Sequence, residues 1–315
     1  MKKFIKVLVI IVIVLVVLAV GGFVTLLALS DWNLANLKYQ NNDYVIEEDF
    51  SSVKIDVRST DINILPSTDG TCKVVCFEDN LYTHSVKVED GCLVIGCEFK
   101  TKVFFSYKES VVTLYLPQKV YNSLVIKATS GDVEIANMQA KECNIDVTSG
   151  DIEVDKLVSD KLYSDGFSGD IDVSNTQVNS SIYIERHSGD IEVSSIKCFG
   201  NFDMATISGN MSLDNVVANN LTTKATSGEI ELDVVLVSNE LIIEATSGDV
   251  EFSKLDATNK INITTTSGDV SGTLLSDKIF AVKSSSGKID IPMTTSGGVC
   301  MVSTTSGDIV IKIAQ

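Results

Sequence analysis

Apolar residues in the C-terminal two-thirds of the chain recur on two nested periods. The short period is two. In "NIDVTSGDIEV" (144–154) and "IIEATSGDVEF" (242–252) every second residue is apolar on each side of a Ser-Gly pair. Such alternation predicts strands with one buried face. The long period is 19 or 20. The Ser-Gly pair returns at Ser130, Ser149, Ser168, Ser188, Ser208, Ser227, Ser247, Ser267, Ser286 and Ser306, which is ten copies. A repeat of that length and regularity predicts a solenoid in which each repeat is one coil stacked on the last.

The positions within one coil are consistent. Six residues before the turn serine stand Leu124, Cys143, Leu162, Ile182, Phe202, Leu221, Leu241, Ile261, Phe280 and Cys300. Three residues after it stand Val133, Ile152, Ile171, Ile191, Met211, Ile230, Val250, Val270, Ile289 and Ile309. A third apolar point, eight residues after the serine, holds Met138, Leu157, Ile196, Val216, Val235, Leu255 and Leu275, and implies a third side or a bend. Glycine supplies positive φ at the turn, and the flanking Ser, Thr and Asp side chains accept from backbone amides there. The expected fold is all-β: a single-stranded parallel β-helix (β-solenoid) of about ten coils. It is right-handed by the default hand of parallel crossovers. At roughly 4.8 Å per coil the rod is about 50 Å long.

Four segments follow from this pattern. Val7–Leu29 is uncharged, long enough to cross a bilayer as a helix, and preceded by Lys2, Lys3 and Lys6. Residues 1–29 therefore read as a cytoplasmic lysine-rich start and a single transmembrane helix, with Trp32 at the interface and the solenoid outside the cytoplasm. Ala28-Leu29-Ser30 also resembles a signal cleavage site, so cleavage is the alternative. Residues 30–43 are polar, lack strand alternation and read as a linker. Residues 44–123 read as degenerate coils, beginning with "VKIDVRSTDINIL" (53–65), plus capping hairpins marked by Asp-Gly turns at 69–70 and 90–91. Residues 124–315 are the solenoid proper. The last strand, "DIVIKIA" (308–314), ends without a cap. An open edge recruits strands, so the end is expected either to associate end to end or to fold back.

Charge narrows the function. There are 25 basic and 42 acidic residues, a net charge of −17, and the three initial lysines leave the remainder more acidic still. Such a surface repels nucleic acid and excludes it as a partner. Two residues after the turn serine the chain is acidic at Asp132, Asp151, Asp170, Asp190, Glu229, Asp249, Asp269 and Asp308. Four residues after it the chain is acidic at Glu134, Glu153, Asp172, Glu192, Glu231, Glu251 and Asp290. Stacked coils turn these into carboxylate ladders. They serve as a solvated face with turn caps, or they bind calcium weakly through Asp132, Asp151, Asp170, Asp190, Asp249 and Asp269. No other cofactor is indicated.

Catalytic chemistry finds no constellation. Of the two histidines, His84 lies among polar residues of the cap, and His187 replaces a corner threonine beside Arg186, forming the one basic spot of the array. Carboxylate pairs repeat regularly along the array, as a surface ladder does and a single active site does not. The single Trp leaves no aromatic platform for sugars in the array. The seven cysteines include no Cys-x2-Cys zinc pair. Cys72, Cys76, Cys92 and Cys97 are either buried thiols or, in an oxidising compartment, disulfide partners.

"FSSVKIDVRSTDINI" (50–64), "VTLYLPQKVYNSLVIKATSGDVEI" (112–135) and the Ser-Gly-Asp coils that follow resemble the putative-adhesin family of bacterial membrane proteins, a domain of unknown function. The resemblance implies a β-solenoid exposed at the cell envelope, with no catalytic residues. The leading expectation is a non-enzymatic, membrane-anchored, adhesin-like surface protein whose stacked faces bind an envelope polymer, a host surface or another protein, with a surface glycan or a protein as the partner. The runner-up is an envelope-stress sensor or accessory regulator acting through membrane partners. A polysaccharide lyase or hydrolase is the third reading.

Overall fold

The structure is a computed structural model, and it describes residues 38–80, 82–99 and 110–314. The expected transmembrane segment, its lysines and Trp32 lie outside the described residues. Among the described residues no helix is long and apolar enough to cross a membrane.

All strands belong to one continuous parallel-dominated sheet wound into coils. Ile152 pairs in register with Ile171, and Ile171 with Ile191. The same holds six residues before each turn serine, where Leu124, Cys143, Leu162, Ile182, Phe202, Leu221 and Leu241 stack as neighbours. Like side chains thus pile up in columns around a dry axis. In the Ser149 coil the inward residues are Cys143, Ile145, Val147, Ile152, Val154, Leu157 and Ser159, all buried. They divide among three sides, so the third apolar point marks a third side.

Each corner has its own backbone solution. At the first, Gly150 has φ +148, and a Cβ there would lie 2.1 Å from the Gly131 carbonyl oxygen one coil below. The corner glycines stack too closely for any side chain. At the second corner the residue seven after the serine is left-handed: Asn137, Lys156, Asn175, Ser195, Asn215, Val234 and Lys254 have φ between 49 and 56. At the third, an asparagine ladder runs Asn201, Asn220, Asn239, Asn259, each side-chain amide donating to the Oδ1 of the one before at 2.7–2.9 Å. Register shifts fall beside this corner, between Ser159 and Lys161 and between Cys198 and Asn201. In these coils the difference between 19 and 20 residues is absorbed there; in the coil after Ser267 it falls at the second corner, between Phe252 and Leu255.

The start of the stack is built from β1 (Tyr39–Ile46), β2 (Ser52–Pro66), β3 (Cys72–Asp79), β4 (Tyr82–Glu89), β5 (Cys92–Phe99), β6 (Ser110–Leu116), β7 (Val120–Ser130) and β8 (Val133–Ala136). As the degenerate motif suggests, β2 is a coil; it pairs in parallel with β7 and β8 on one edge. On its other edge lie β5 and β6. Antiparallel strands then close the end: β3 on β6, β1 on β3 and β4 on β5. Residues 39–43, expected as linker, form the first half of β1. Their side chains are polar, but the main chain finds a partner in β3 along its full length.

The other end departs from chain order. Strand Gly298–Ser306 pairs with Lys260–Ser267 on one side and with Lys278–Ser286 on the other. The final coil is therefore inserted between the Ser267 and Ser286 coils. The last strand folds back, and the terminal edge of the stack is the Ser286 coil, not the Ser306 coil. One apolar assignment also shifts. After Gly272 the coil is one residue shorter, so Leu274 pairs with Leu255 and is buried while Leu275 is exposed.

Candidate functional site

The first candidate is the column of corner carboxylates. The fold brings Asp132, Asp151, Asp170 and Asp190 into one file, and Asp249 and Asp269 into its continuation. Each uses Oδ1 to accept a hydrogen bond from the main-chain amide at the same position of the next coil. Asp151 donates to Asp132 at 2.9 Å, Asp170 to Asp151 at 2.9 Å, Asp190 to Asp170 at 2.8 Å and Asn210 to Asp190 at 2.7 Å. Further along, Asp269 donates to Asp249 at 2.8 Å and Asp308 to Asp269 at 2.7 Å. The six calcium candidates thus act as structural caps through one oxygen apiece. The run stops at Glu229, whose side chain is one methylene longer. Burial, and then the charges of Glu251, Glu231 and Asp249, hold its carboxyl above the usual carboxylate range.

The second candidate is an exposed aromatic patch on the side that precedes the turn serines. Tyr163 and Tyr183 are register neighbours whose rings stack at 5.1 Å with 6° between planes. Beside them Phe167 and His187 stack at 4.5 Å and 13°. Phe167 and Ile207 are 55% and 41% exposed. Acidic residues interleave the rings: Tyr163 donates to Asp165 at 3.2 Å, and Tyr183 donates to Glu185. The bond to Glu185, with burial, pushes the Tyr183 hydroxyl up to about 12. The array does hold an aromatic surface, contrary to expectation. Its signal was legible: Tyr163 and Tyr183 stand one period apart, and Phe167, His187 and Ile207 replace the Thr that most coils carry before the serine.

The expected surface basic spot does not form. His187 is exposed, but Arg186 is fully buried in the interior column. Burial pushes its guanidinium down from its ordinary value, against the opposing charges of Asp165, Asp151 and Asp170.

The third candidate is a polar cluster inside the starting cap, built where β3 and β4 meet β1 and β2. Glu78 Oε2 accepts from the His84 main-chain amide at 2.6 Å and contacts His84 Nδ1 at 2.8 Å. Glu78 Oε1 accepts from Asn42 Nδ2. On its far side His84 Nε2 lies 3.3 Å from Thr60 Oγ1, which lies 2.9 Å from the Tyr82 hydroxyl. Burial lowers the His84 pKa, and Glu78 opposes this. Cys76, beside them, is pushed up to about 12 by burial and then by the Glu78 and Asp43 charges. All seven cysteines are free thiols.

Comparison with known proteins places this geometry in a family. A family model described as Toastrack DUF4097 matches residues 50–205 and 197–315. The uncharacterized protein YvlB of Bacillus subtilis (strain 168) is 30% identical over 103 residues, which is 30% of this chain and 28% of that protein. The match therefore spans under a third of that relative's length. A crystal structure of a putative adhesin from Parabacteroides distasonis ATCC 8503 is 15% identical, covers 87% of this chain and 98% of its own, and has a TM-score of 0.50. A putative adhesin from Bacteroides fragilis NCTC 9343 is 18% identical, with coverage of 88% and 97% and a TM-score of 0.40. At these identities the structural likeness concerns the fold alone. With a family model matching nearly all of the described coils, the chain belongs to the Toastrack DUF4097 family, a β-solenoid domain of unknown function.

Proposed function

We propose that the protein is a non-enzymatic, membrane-anchored surface protein of the cell envelope, adhesin-like in use, whose solenoid binds a glycan. The observation that carries this reading is the aromatic patch of Tyr163, Tyr183, Phe167 and His187. Single apolar residues are exposed on many coils, but on the side that precedes the turn serines the Ser168 and Ser188 coils alone carry rings at the outward positions. Exposed rings clustered on two adjacent coils exceed what stacking requires, and such surfaces mark contact sites. Rings interleaved with Asp165 and Glu185 offer apolar contact to sugar faces and acceptors to sugar hydroxyls. The surrounding acidity favours neutral or amino sugars over acidic ones and excludes nucleic acid. Anchoring by the N-terminal apolar segment would hold this face outside the cytoplasm.

A glycan and protein binding screen of the chain tests the reading. Wild type is expected to retain a neutral or amino-sugar glycan. The variant Tyr163→Ser/Tyr183→Ser/Phe167→Thr should lose that binding without a fall in melting temperature. Binding unchanged by the triple substitution would overturn the assignment of the patch. A chain reduced to residues 1–43 should retain none of it.

A further inference from the structure

The buried cluster in the cap takes no part in the surface reading. Cys76 and Glu78 lie two residues apart on β3, so the pleat turns both inward. His84 arrives from β4. All three are buried, and one donor atom from each (Sγ, a carboxylate oxygen, a ring nitrogen) lies within 4.8 Å of the others. A buried carboxylate and imidazole add less stability than well-packed apolar residues of the same volume. Filling the cap core does not account for them.

We infer that Cys76, Glu78 and His84 form a binding site for a transition-metal dication of the zinc class. The donor set is the first reason. Thiolate, imidazole and carboxylate together suit zinc, and a thiolate excludes calcium and magnesium. The spacing is the second. Donors held about 2.0–2.3 Å from a tetrahedral zinc ion stand roughly 3.3–3.5 Å apart. The present atoms therefore need move by only about an ångström, the 2.8 Å contact of His84 Nδ1 with Glu78 Oε2 opening and Sγ drawing in. The third reason is how the outer atoms are held. Thr60 Oγ1 lies against His84 Nε2, and Asn42 Nδ2 donates to Glu78 Oε1. Partners of this kind fix ring and carboxylate orientation in metal sites. They leave Nδ1 against Oε2, which keeps its second acceptor site on the His84 main-chain amide at 2.6 Å, with Cys76 Sγ close by.

Charge balances. Binding releases the Cys76 thiol proton and any proton on His84 Nδ1 to solvent, and the dication then meets one thiolate and one carboxylate in a neutral site. Asn42 belongs to β1, Thr60 to β2, Cys76 and Glu78 to β3, and His84 to β4, so a metal here ties the closing strands to the first coil. The inference does not depend on the glycan reading, because the cap and the aromatic patch share no residue.

The test uses the full chain, stripped with a chelator and then titrated with zinc or cobalt(II). One equivalent of zinc should bind and raise the melting temperature. Cobalt should give tetrahedral visible bands and a thiolate-to-cobalt charge-transfer band, and excess calcium should leave both unchanged. Cys76→Ala should fold, judged by circular dichroism, lose the charge-transfer band and weaken zinc binding by about 100-fold or more. Thr60→Ala, which removes the hydroxyl between His84 Nε2 and the Tyr82 hydroxyl and no donor atom of the site, should weaken it by about tenfold. Should His84→Ala fail to fold, Cys76→Ala still decides. A wild-type chain without the charge-transfer band, zinc binding equal in Cys76→Ala, or displacement by calcium would each overturn the inference.

Discussion

Arg186 fills the room that Gly166 leaves. The two are register neighbours in the interior column two residues before the turn serines. A Cβ on Gly166 would lie 1.5 Å from Arg186 Nη1. Through that gap Nη1 donates to the Val147 carbonyl at 3.0 Å, two coils away. Among the described residues Nε and Nη2 find no acceptor. Gly166→Ala should therefore cost about 1–3 kcal/mol by overpacking. Arg186→Met removes a buried charge and keeps its volume, so its effect should run from neutral to a gain of about 1–4 kcal/mol. Thermal melting of the two variants checks the pair.

The corner ladder predicts that shape matters more than charge. Asn210 already serves in it, its Oδ1 accepting from the Glu229 amide at 3.0 Å. Asp170→Asn should hold stability, while Asp170→Ala should lose about 0.5–1.5 kcal/mol with the hydrogen bond. Because each candidate carboxylate already spends one oxygen on an amide, millimolar calcium should give little heat by calorimetry and little change in melting.

Glu229 gives a pH dependence of known sign. Its folded pKa is raised, so the folded chain binds the proton more tightly than the unfolded chain does. The group is thus destabilising at neutral pH, and the penalty fades as pH falls through its folded pKa. Glu229→Asn, which also restores the corner acceptor, should raise the melting temperature at pH 7. The gain should shrink toward pH 4.

Val234 carries a cost at the second corner. It has φ 52, a conformation that a β-branched residue enters only with strain. Most of its counterparts in other coils are Asn, Lys or Ser. Val234→Asn should stabilise by roughly 1 kcal/mol, read as a higher melting temperature.

The inserted final coil makes the C-terminus structural. Strand Lys278–Ser286 pairs with Gly298–Ser306. A chain ending at residue 297 loses that neighbour. It should melt lower and aggregate through the exposed Lys260–Ser267 edge, as sedimentation would show. In the whole chain, end-to-end association would have to use the Ser286 coil, where Ile289 is 46% exposed and Lys283 and Lys288 blunt the edge.

The repeat made the columns legible, because a side chain returning every 19 or 20 residues at the same offset has one place to go. The order of the last two coils was not legible. The Ser286 and Ser306 coils carry the same motif, so either fits either slot. The Arg186–Gly166 pair is visible in retrospect as two breaks in one position, one period apart. In the cap, the alternation of Cys72, Val74, Cys76 and Glu78 places Glu78 inside, but nothing local brings His84 to it. That meeting depends on where β4 sits after β3 ends. Zinc spacing rules built on Cys-x2-Cys could not find donors that come from two strands.

The most direct test of the stacked-column account is disulfide cross-linking read by peptide mass mapping. Glu153 and Asp172 are outward register neighbours on adjacent coils, and Glu192 lies one coil further along. The account predicts that Glu153→Cys/Asp172→Cys oxidises to an intramolecular disulfide and that Glu153→Cys/Glu192→Cys, at about twice the 4.8 Å coil spacing, does not. Equal cross-linking of both pairs, or of neither, would contradict it.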